Sequence, residues 1–366
     1  MSKKRICVVF CGGTIAMAKN PRTGALEPAK SPEELLSHVP RIQEHVTLER
    51  IVEVFNKDST NLRPADWARI VEGIYQVYNS CDAIVVTHGT DTMTYSASAV
   101  AFAMQNLDKP IVFTGSQAPL DVLGSDAPFN LENAVRVACS DVKEVVISFG
   151  HQIHRAVRAV KSSEGKYNAF DSPITGPIGE IQAEIKWHDS MNRPNLNESK
   201  KVLLYQLGFI SDILTVRSDP ALEPWMLSAL VKSKRLRGIV IEALGAGNLP
   251  DRYHEIIRGA VRYYSRPVVV ASPFIGGTAA GMGTYAAGLG ALQAGAIPAG
   301  DMTLPAATVK LSWLLSQIEG SLPEYPKSLR GMPRDDIEYN AQLMDFIRNG
   351  FNTDYVGEVS LQRKSK

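Results

Sequence analysis

Short apolar runs alternate with amphipathic stretches from the start of the chain. Residues 6–11, 51–55, 83–87, 110–114 and 145–150 read as buried strands, and residues 64–78 and 94–107 carry apolar positions at helical spacing between them. This is the rhythm of parallel strands joined by helices, with both faces of the sheet covered. After a polar stretch, DSMNRPNLNESKK at 189–201, a second rhythm begins. Residues 202–207, 238–242 and 267–272 read as strands, and 221–231, 252–264 and 306–318 as helices. Residues 276–290, rich in Gly and Ala, read as a loop plus a tightly packed helix, and 336–348 as a last helix beyond a proline-rich polar segment. The pattern predicts an α/β chain with a larger N-terminal parallel-sheet domain over 1–188, a linker over 189–201 and a smaller C-terminal α/β domain over 202–366, both doubly wound.

Composition leaves that picture standing and narrows the function. With 45% hydrophobic and 21% charged residues in 366, the chain has ordinary globular composition and length for two cores. A net charge of +1 without a basic block gives no footprint for nucleic acid, and no apolar run approaches a membrane span. The apolar run behind Lys3, Lys4 and Arg5 is shorter than the core of an export signal. Cys7, Cys11, Cys81 and Cys139 are far apart, with no CxxC pair or zinc-ligand spacing, which predicts a reducing cytoplasm and neither a disulfide framework nor a zinc site.

The first three apolar strands of the sheet each run into small polar residues: CGGT at 11–14, THGT at 87–90 and TGSQ at 114–117. Ligands of open α/β sheets bind outside the carboxyl ends of the strands, so the three turns are expected to line one crevice. The glycines at 12 and 13 do not continue as GxGxxG, nor does a P-loop lysine follow, so a nucleotide is not expected. They permit a sharp turn that exposes backbone N–H groups and sets Thr14 at the crevice mouth. A threonine hydroxyl becomes a nucleophile only with a base or proton relay in reach. Thr90 and Asp91 offer a hydroxyl and a carboxylate, with N–H groups around Gly89 to face an oxyanion; as an isolated pair they read more readily as a helix N-cap. His88, with no GxSxG elbow to serve, reads as a packed histidine under the turn. Asp58-Ser59-Thr60 reads either as a turn and cap cluster or as a clamp for a substrate's charged ends. RAVKS at 158–162 is a basic stretch of the kind that solvent usually covers, and gains meaning only if Lys161 reaches Asp91.

CGGTIAM, KDST, VVTHGTDTM, TGSQAPL with SDAPFNLENA, AVKSSEGKYNAF, GAGNLP and IPAGDMT fall in the order and spacing of the asparaginase/glutaminase family. Over residues 4–318 the chain resembles bacterial-type L-asparaginases of the cytoplasmic, type I kind. The resemblance implies that Thr14 attacks the side-chain amide carbonyl and that Thr90, Asp91 and Lys161 form a second triad activating a hydroxyl or water. It implies further that Ser59, Gly89 and Asp91 hold the substrate's α-carboxylate and α-amine, and that Asn248 enters the site from a neighbouring subunit of a homodimer or homotetramer. With the turn residues, the expected substrate-binding set is Gly13, Asp58, Ser59, Gly89, Ser116 and Asn248. No cofactor, nucleic acid or membrane partner is implied.

One position departs from the family. MAKNPRTGALEPAK, residues 17–30, should be a mobile lid bearing a tyrosine, yet Ala25 stands where alignment on Gly24 puts it. The departure leaves two alternatives beside asparagine hydrolysis: an amidase of the same fold for a bulkier amide, or a ligand-binding protein on a retired fold. The segment after residue 318 has no counterpart in the motifs.

Overall fold

The structure, a computed structural model, describes residues 3–188, 202–273, 279–321 and 337–360, and its contacts separate into two units, Met1–Leu207 and Gly208–Lys366. The expected linker at 189–201 lies outside the described residues. In the first unit, eight described strands form one sheet in the order Ile185–Trp187, Gly179–Ile181, Gln152–Arg155, Val145–Phe149, Ile111–Thr114, Ala83–Thr87, Arg5–Gly12, Thr47–Lys57. The five from Val145–Phe149 to Thr47–Lys57 are parallel. The other three extend the sheet antiparallel, which the apolar pattern did not foretell. Their sequences, such as Gln152-Ile153-His154-Arg155, mix polar residues into short strands and lack the continuous apolar run of a strand buried on both faces.

The four inner parallel strands are almost wholly buried because helices cover both faces, whereas the edge strand Thr47–Lys57 carries Glu49, Arg50 and Glu53 and buries only Phe55. Ile6 and Phe10 belong to one core with Leu131, Ala134 and Ala138 of helix Ala127–Ala138. Val9, on the opposite face, stands near Gly73 of helix Pro64–Tyr78, whose buried Ile70, Val71, Ile74 and Val77 follow helical spacing. Helix Met93–Ala103 has no polar face, and every residue described within it except Tyr95 is buried.

Register brings the three glycine turns together. Phe10 pairs with Thr87, and Thr87 with Thr114, so the central strands end at one level. His88 N–H then donates to the Thr114 carbonyl at 2.9 Å, and Gly13 N–H to the Lys57 carbonyl at 3.1 Å. The turns leave the sheet on the same edge and touch, as the expectation of a shared crevice requires.

The strand expected at 202–207 shrinks to Leu204–Tyr205, pairs with Met104–Gln105 and so belongs to the first unit. The second unit holds a parallel sheet ordered Ile213–Arg217, Gly238–Glu242, Val268–Ala271, Ile297–Pro298, with helices Pro224–Val231, His254–Tyr263, Ala286–Gln293 and Leu304–Ser321 in chain order along it. Of the Gly/Ala-rich stretch, residues 274–278 lie outside the described residues; the helix expected there is Ala286–Gln293. Among the described residues no helix is long and apolar enough to cross a membrane.

The C-terminal segment is built into this unit. Helix Ile337–Asn352 is followed by a turn that brings Glu358 against Lys310 of helix Leu304–Ser321, and both side chains are wholly buried. Lys310 Nζ donates to Glu358 Oε1 at 2.6 Å and to the Thr353 carbonyl at 2.7 Å, under the rings of Phe351 and Tyr355. Glu358 accepts in addition from the N–H groups of Tyr355 and Val356. Burial pushes its pKa up, but the Lys310 charge and these donors outweigh that and hold it below the ordinary 4.5.

Removing one partner strands a buried charge. Lys310→Met should destabilise the second unit by about 3–5 kcal/mol, and Glu358→Leu added to it should recover much of the loss. A carboxyl held below its ordinary value stabilises the fold above that value and ceases to do so as it is protonated. The difference between wild type and Lys310→Met, measured by urea unfolding, should therefore narrow as pH falls below 4.5.

Candidate active site

Two glycines make the centre of the site. Gly13 adopts φ of +91°, and a Cβ added to it would lie 2.3 Å from the Gly89 nitrogen. A Cβ on Gly89 would meet the Ser59 hydroxyl at 2.7 Å. Only glycine permits this approach, so the turn that ends the first strand and the turn after Thr87 meet backbone to backbone, and the Ser59 side chain of the short 3₁₀ turn Ser59–Asn61 packs against Gly89. Thr14 and Thr90, each one residue beyond the touching glycines, are thereby brought to the same place. Thr14 is half-buried at the start of a 3₁₀ turn, and no hydrogen bond among the described residues engages its hydroxyl. Thr92 donates from its hydroxyl to the Ser59 carbonyl at 2.8 Å and locks the second contact.

Lys161 reaches both members of the Thr90–Asp91 pair. Its Nζ donates to Thr90 Oγ1 at 3.0 Å and to Asp91 Oδ1 at 2.5 Å. The helix cap that competed for these residues falls elsewhere: helix Met93–Ala103 has its N-cap at Thr92. Lys161 stands in a two-residue strand paired with Phe170–Asp171, and Ser162 N–H donates to the Ala169 carbonyl at 2.8 Å. The Lys161 side chain is 15% exposed and Asp91 44%, so the pair sits at a solvent-facing mouth. The basic stretch is not a solvated surface, since Arg158 is buried.

Two residues to which the sequence reading gave no role complete the arrangement. Gln117 accepts the Thr90 hydroxyl at 3.4 Å through Oε1, and its Nε2 donates to the carbonyls of Ser163, Glu164 and Lys166 at 3.2, 2.8 and 3.4 Å. Asp126, buried, accepts from the N–H groups of Gln117 and Ala118 at 3.0 Å and from Asn130, which also donates to the Gly115 carbonyl. They lie in the stretches TGSQAPL and SDAPFNLENA. Their signal is polar side chains at a strand end and a helix start.

Ser59 is buried against Gly89, whereas Asp58 Oδ1 accepts from the Thr60 N–H and hydroxyl, both at 2.9 Å, as a turn residue does. Ser116 is buried and its hydroxyl donates to the Ala118 carbonyl at 2.7 Å. Asn248 belongs to the second unit, in the turn that bridges Leu244 and Asn248, with its buried Oδ1 unpartnered among the described residues. His88 is wholly buried, its Nδ1 2.7 Å from the Gly89 carbonyl, and packs at 6.0 Å from the Phe113 ring. It supports the turn. Residues 17–30 form a hairpin of Met17–Lys19 and Leu26–Pro28, closed by Asn20, which accepts the Arg22 and Thr23 N–H groups at 2.8 and 3.3 Å. Ala25 is exposed in its turn. Among the described residues no group of three His, Cys, Asp or Glu side chains converges as a metal site would.

Two hydroxyls, a lysine and a carboxylate thus stand on the strand ends of an α/β fold, and comparison with known proteins gives that fold its family. Residues 5–193 match the model of the asparaginase N-terminal domain and residues 212–324 that of the glutaminase/asparaginase C-terminal domain. Over 326 residues the chain is 32% identical to a glutamyl-tRNA(Gln) amidotransferase subunit of Aeropyrum pernix, covering 86% of this chain and 75% of that one. It is 31% identical over 329 residues to L-asparaginase 1 of Escherichia coli K12, covering 87% and 93%. The thermostable L-asparaginase of Thermococcus kodakarensis superposes with a TM-score of 0.81 at 28% identity, over 97% of this chain and 99% of that one. The chain belongs to the asparaginase family, and by that membership it is a hydrolase acting on amides.

His88 gives this region a pH signature. Burial lowers its pKa from 6.5 to about 4, against the opposing bond to Gly89, and burial does the same for His154, which contacts the Ser172 hydroxyl at 2.8 Å. The unfolded chain takes up these protons near 6.5 and the folded chain does not until about 4. Stability should therefore fall as pH drops through that window. His88→Gln should flatten the slope of the urea midpoint against pH between those limits, and an unchanged slope would rule His88 out as a contributor.

Proposed function

We propose that the chain hydrolyses L-asparagine to L-aspartate and ammonia through an acyl-threonine intermediate. The observation that carries this reading is Lys161 Nζ bonded at once to Thr90 Oγ1 and Asp91 Oδ1, close to a Thr14 whose hydroxyl no described residue engages. In the proposed mechanism Thr14 Oγ attacks the side-chain amide carbon, and its proton passes to the leaving nitrogen, which departs as ammonia. The remaining ester is cleaved by water, whose proton returns to Thr14. The Thr90–Lys161–Asp91 relay takes and gives the protons. Backbone N–H groups at the Gly89 turn stabilise the oxyanion. Ser59, Gly89 and Asp91 hold the substrate's charged ends, with Gly13, Asp58 and Ser116 shaping the walls.

Asn248 is proposed to complete the site of a neighbouring copy in a homodimer or homotetramer in the cytoplasm. Three of the four cysteines are free and buried, and Cys139 is free and exposed, as a reducing compartment allows.

A second reading rests on the amidotransferase relatives, which match as well as the asparaginases do. There the same threonine chemistry would act on a different amide. The hairpin without a tyrosine also leaves room for a larger ω-amide.

Ammonia release from L-asparagine, L-glutamine and bulkier ω-amides separates these readings. Release from asparagine should dominate, and Thr14→Ala and Lys161→Met should each reduce it by roughly 10³-fold or more, the scale of losing a nucleophile or its activating group. Turnover surviving in Thr14→Ala would overturn the mechanism. Silence on asparagine with Thr14-dependent release from another amide would move the substrate.

A further inference from the structure

Gln117 joins two parts of the site: the Thr90 hydroxyl and the loop that follows Lys161. Its position is fixed from behind, since the Asp126 carboxylate holds the Gln117 N–H at 3.0 Å with both oxygens, and Asn130 holds Asp126 at 3.0 Å. From that anchor Nε2 spans three carbonyls within four residues, Ser163, Glu164 and Lys166. Two N–H donors serving three acceptors make a shared, forked set that only a primary amide or a cation supplies at this place. The loop has few ties of its own. Lys166 N–H donates to the Ser163 hydroxyl at 3.2 Å, and Glu164, which meets Lys161 at 3.6 Å, is 90% exposed. The strand that carries Lys161 is only two residues long.

The other end of the amide acts on Thr90. Lys161 donates to Thr90 Oγ1, so the threonine's own proton must point elsewhere, and Gln117 Oε1 is the acceptor in line at 3.4 Å. Loss of the amide would free the Thr90 hydroxyl to rotate and would release the loop at the same time.

We infer that Gln117 is a positioning residue for the Thr90–Lys161 relay: its amide ties the 163–166 loop to the Thr90 hydroxyl and keeps Lys161 in register with it. The inference deepens the proposed amide hydrolysis and rests on it for its kinetic consequence, but its structural consequence stands apart from turnover. Gln117→Met keeps the shape and removes both functions of the amide; Gln117→Glu keeps an acceptor for Thr90 and presents three carbonyls with no donor.

Two measurements on the full-length wild type and both variants test this. Hydrogen exchange followed by mass spectrometry should show the peptide over 162–169 exchanging at least about 10-fold faster in both variants, with the sheet strands unchanged. In ammonia release from the preferred amide, kcat should fall about 10- to 100-fold in both variants while KM stays within about twofold, as expected when a proton-transfer group is misplaced and substrate contacts are not. Unchanged exchange at 162–169 overturns the tether. Faster exchange with unchanged kcat, or a rise in KM matching the loss of kcat/KM, overturns the positioning role, as does a Gln117→Glu variant with wild-type exchange and kcat. If wild type releases no ammonia from any amide, the proposed function fails. The tether is then judged by exchange and by the rate at which an amine-acylating reagent labels Lys161, which both variants should raise and which an unchanged rate would refute.

Discussion

The contact of Gly13 with Gly89 is the constraint on which the rest depends. Two strand ends cannot normally bring their first turn residues within van der Waals distance, because a Cβ on either chain fills the gap. Here a Cβ at Gly13 would fall 2.3 Å from a backbone nitrogen. Glycine on both sides removes that atom, though it leaves greater backbone freedom to be lost on folding. The close approach makes Thr14 and Thr90 the next residues out of one contact, and Ser59 closes on Gly89 from the third side. Register does the coarse alignment, through Phe10, Thr87 and Thr114 at one level, and the glycines do the fine.

Outward from this centre, side-chain bonds take over from the sheet. Three side-chain ties frame the site. Lys30, at the base of the hairpin, pairs with Asp121 at 2.7 Å; the Tyr167 hydroxyl donates to the Gly124 carbonyl at 2.6 Å; Gln117 holds the loop at 163–166. Asp121 and Tyr167 are both half exposed or more, so the first two ties are the kind that water and salt weaken. Gln117 is backed by buried Asp126 and Asn130, so its tie is held from the core. The framework is thus firm where it meets Thr90 and looser toward the hairpin.

Much of this was legible in the residues. The apolar strands 83–87 and 238–242 fall where the runs end, since a strand buried on both faces leaves no polar position to blur its limits. The convergence of Thr14, Thr90, Asp91 and Lys161 was legible as motif order, though only coordinates could bring Lys161, seventy positions downstream, to 2.5 Å from Asp91. The antiparallel strands were not legible, because Gln152–Arg155 and Ile185–Trp187 are too short and too polar for an apolar pattern to register. Nor was the part played by Gln117. A glutamine has no preference that marks it, and its importance comes from a hydroxyl upstream and three carbonyls more than forty residues downstream, which only the fold collects around one amide.

Lys310 shows the same limit from the other side. A lysine inside an amphipathic helix reads as its polar stripe, yet this one is wholly buried. The turn after the last described helix, with Glu358, the Thr353 carbonyl and two aromatic rings, makes that burial tolerable. The segment that matched no motif is therefore a requirement of the second unit's own core: without Glu358 the helix Leu304–Ser321 would carry an uncompensated charge where the sheet needs an apolar neighbour. Lys161 is the contrasting case. Its partner Asp91 stands partly in water, so the pair faces the mouth, whereas the Lys310 pair is sealed and can only hold the fold together.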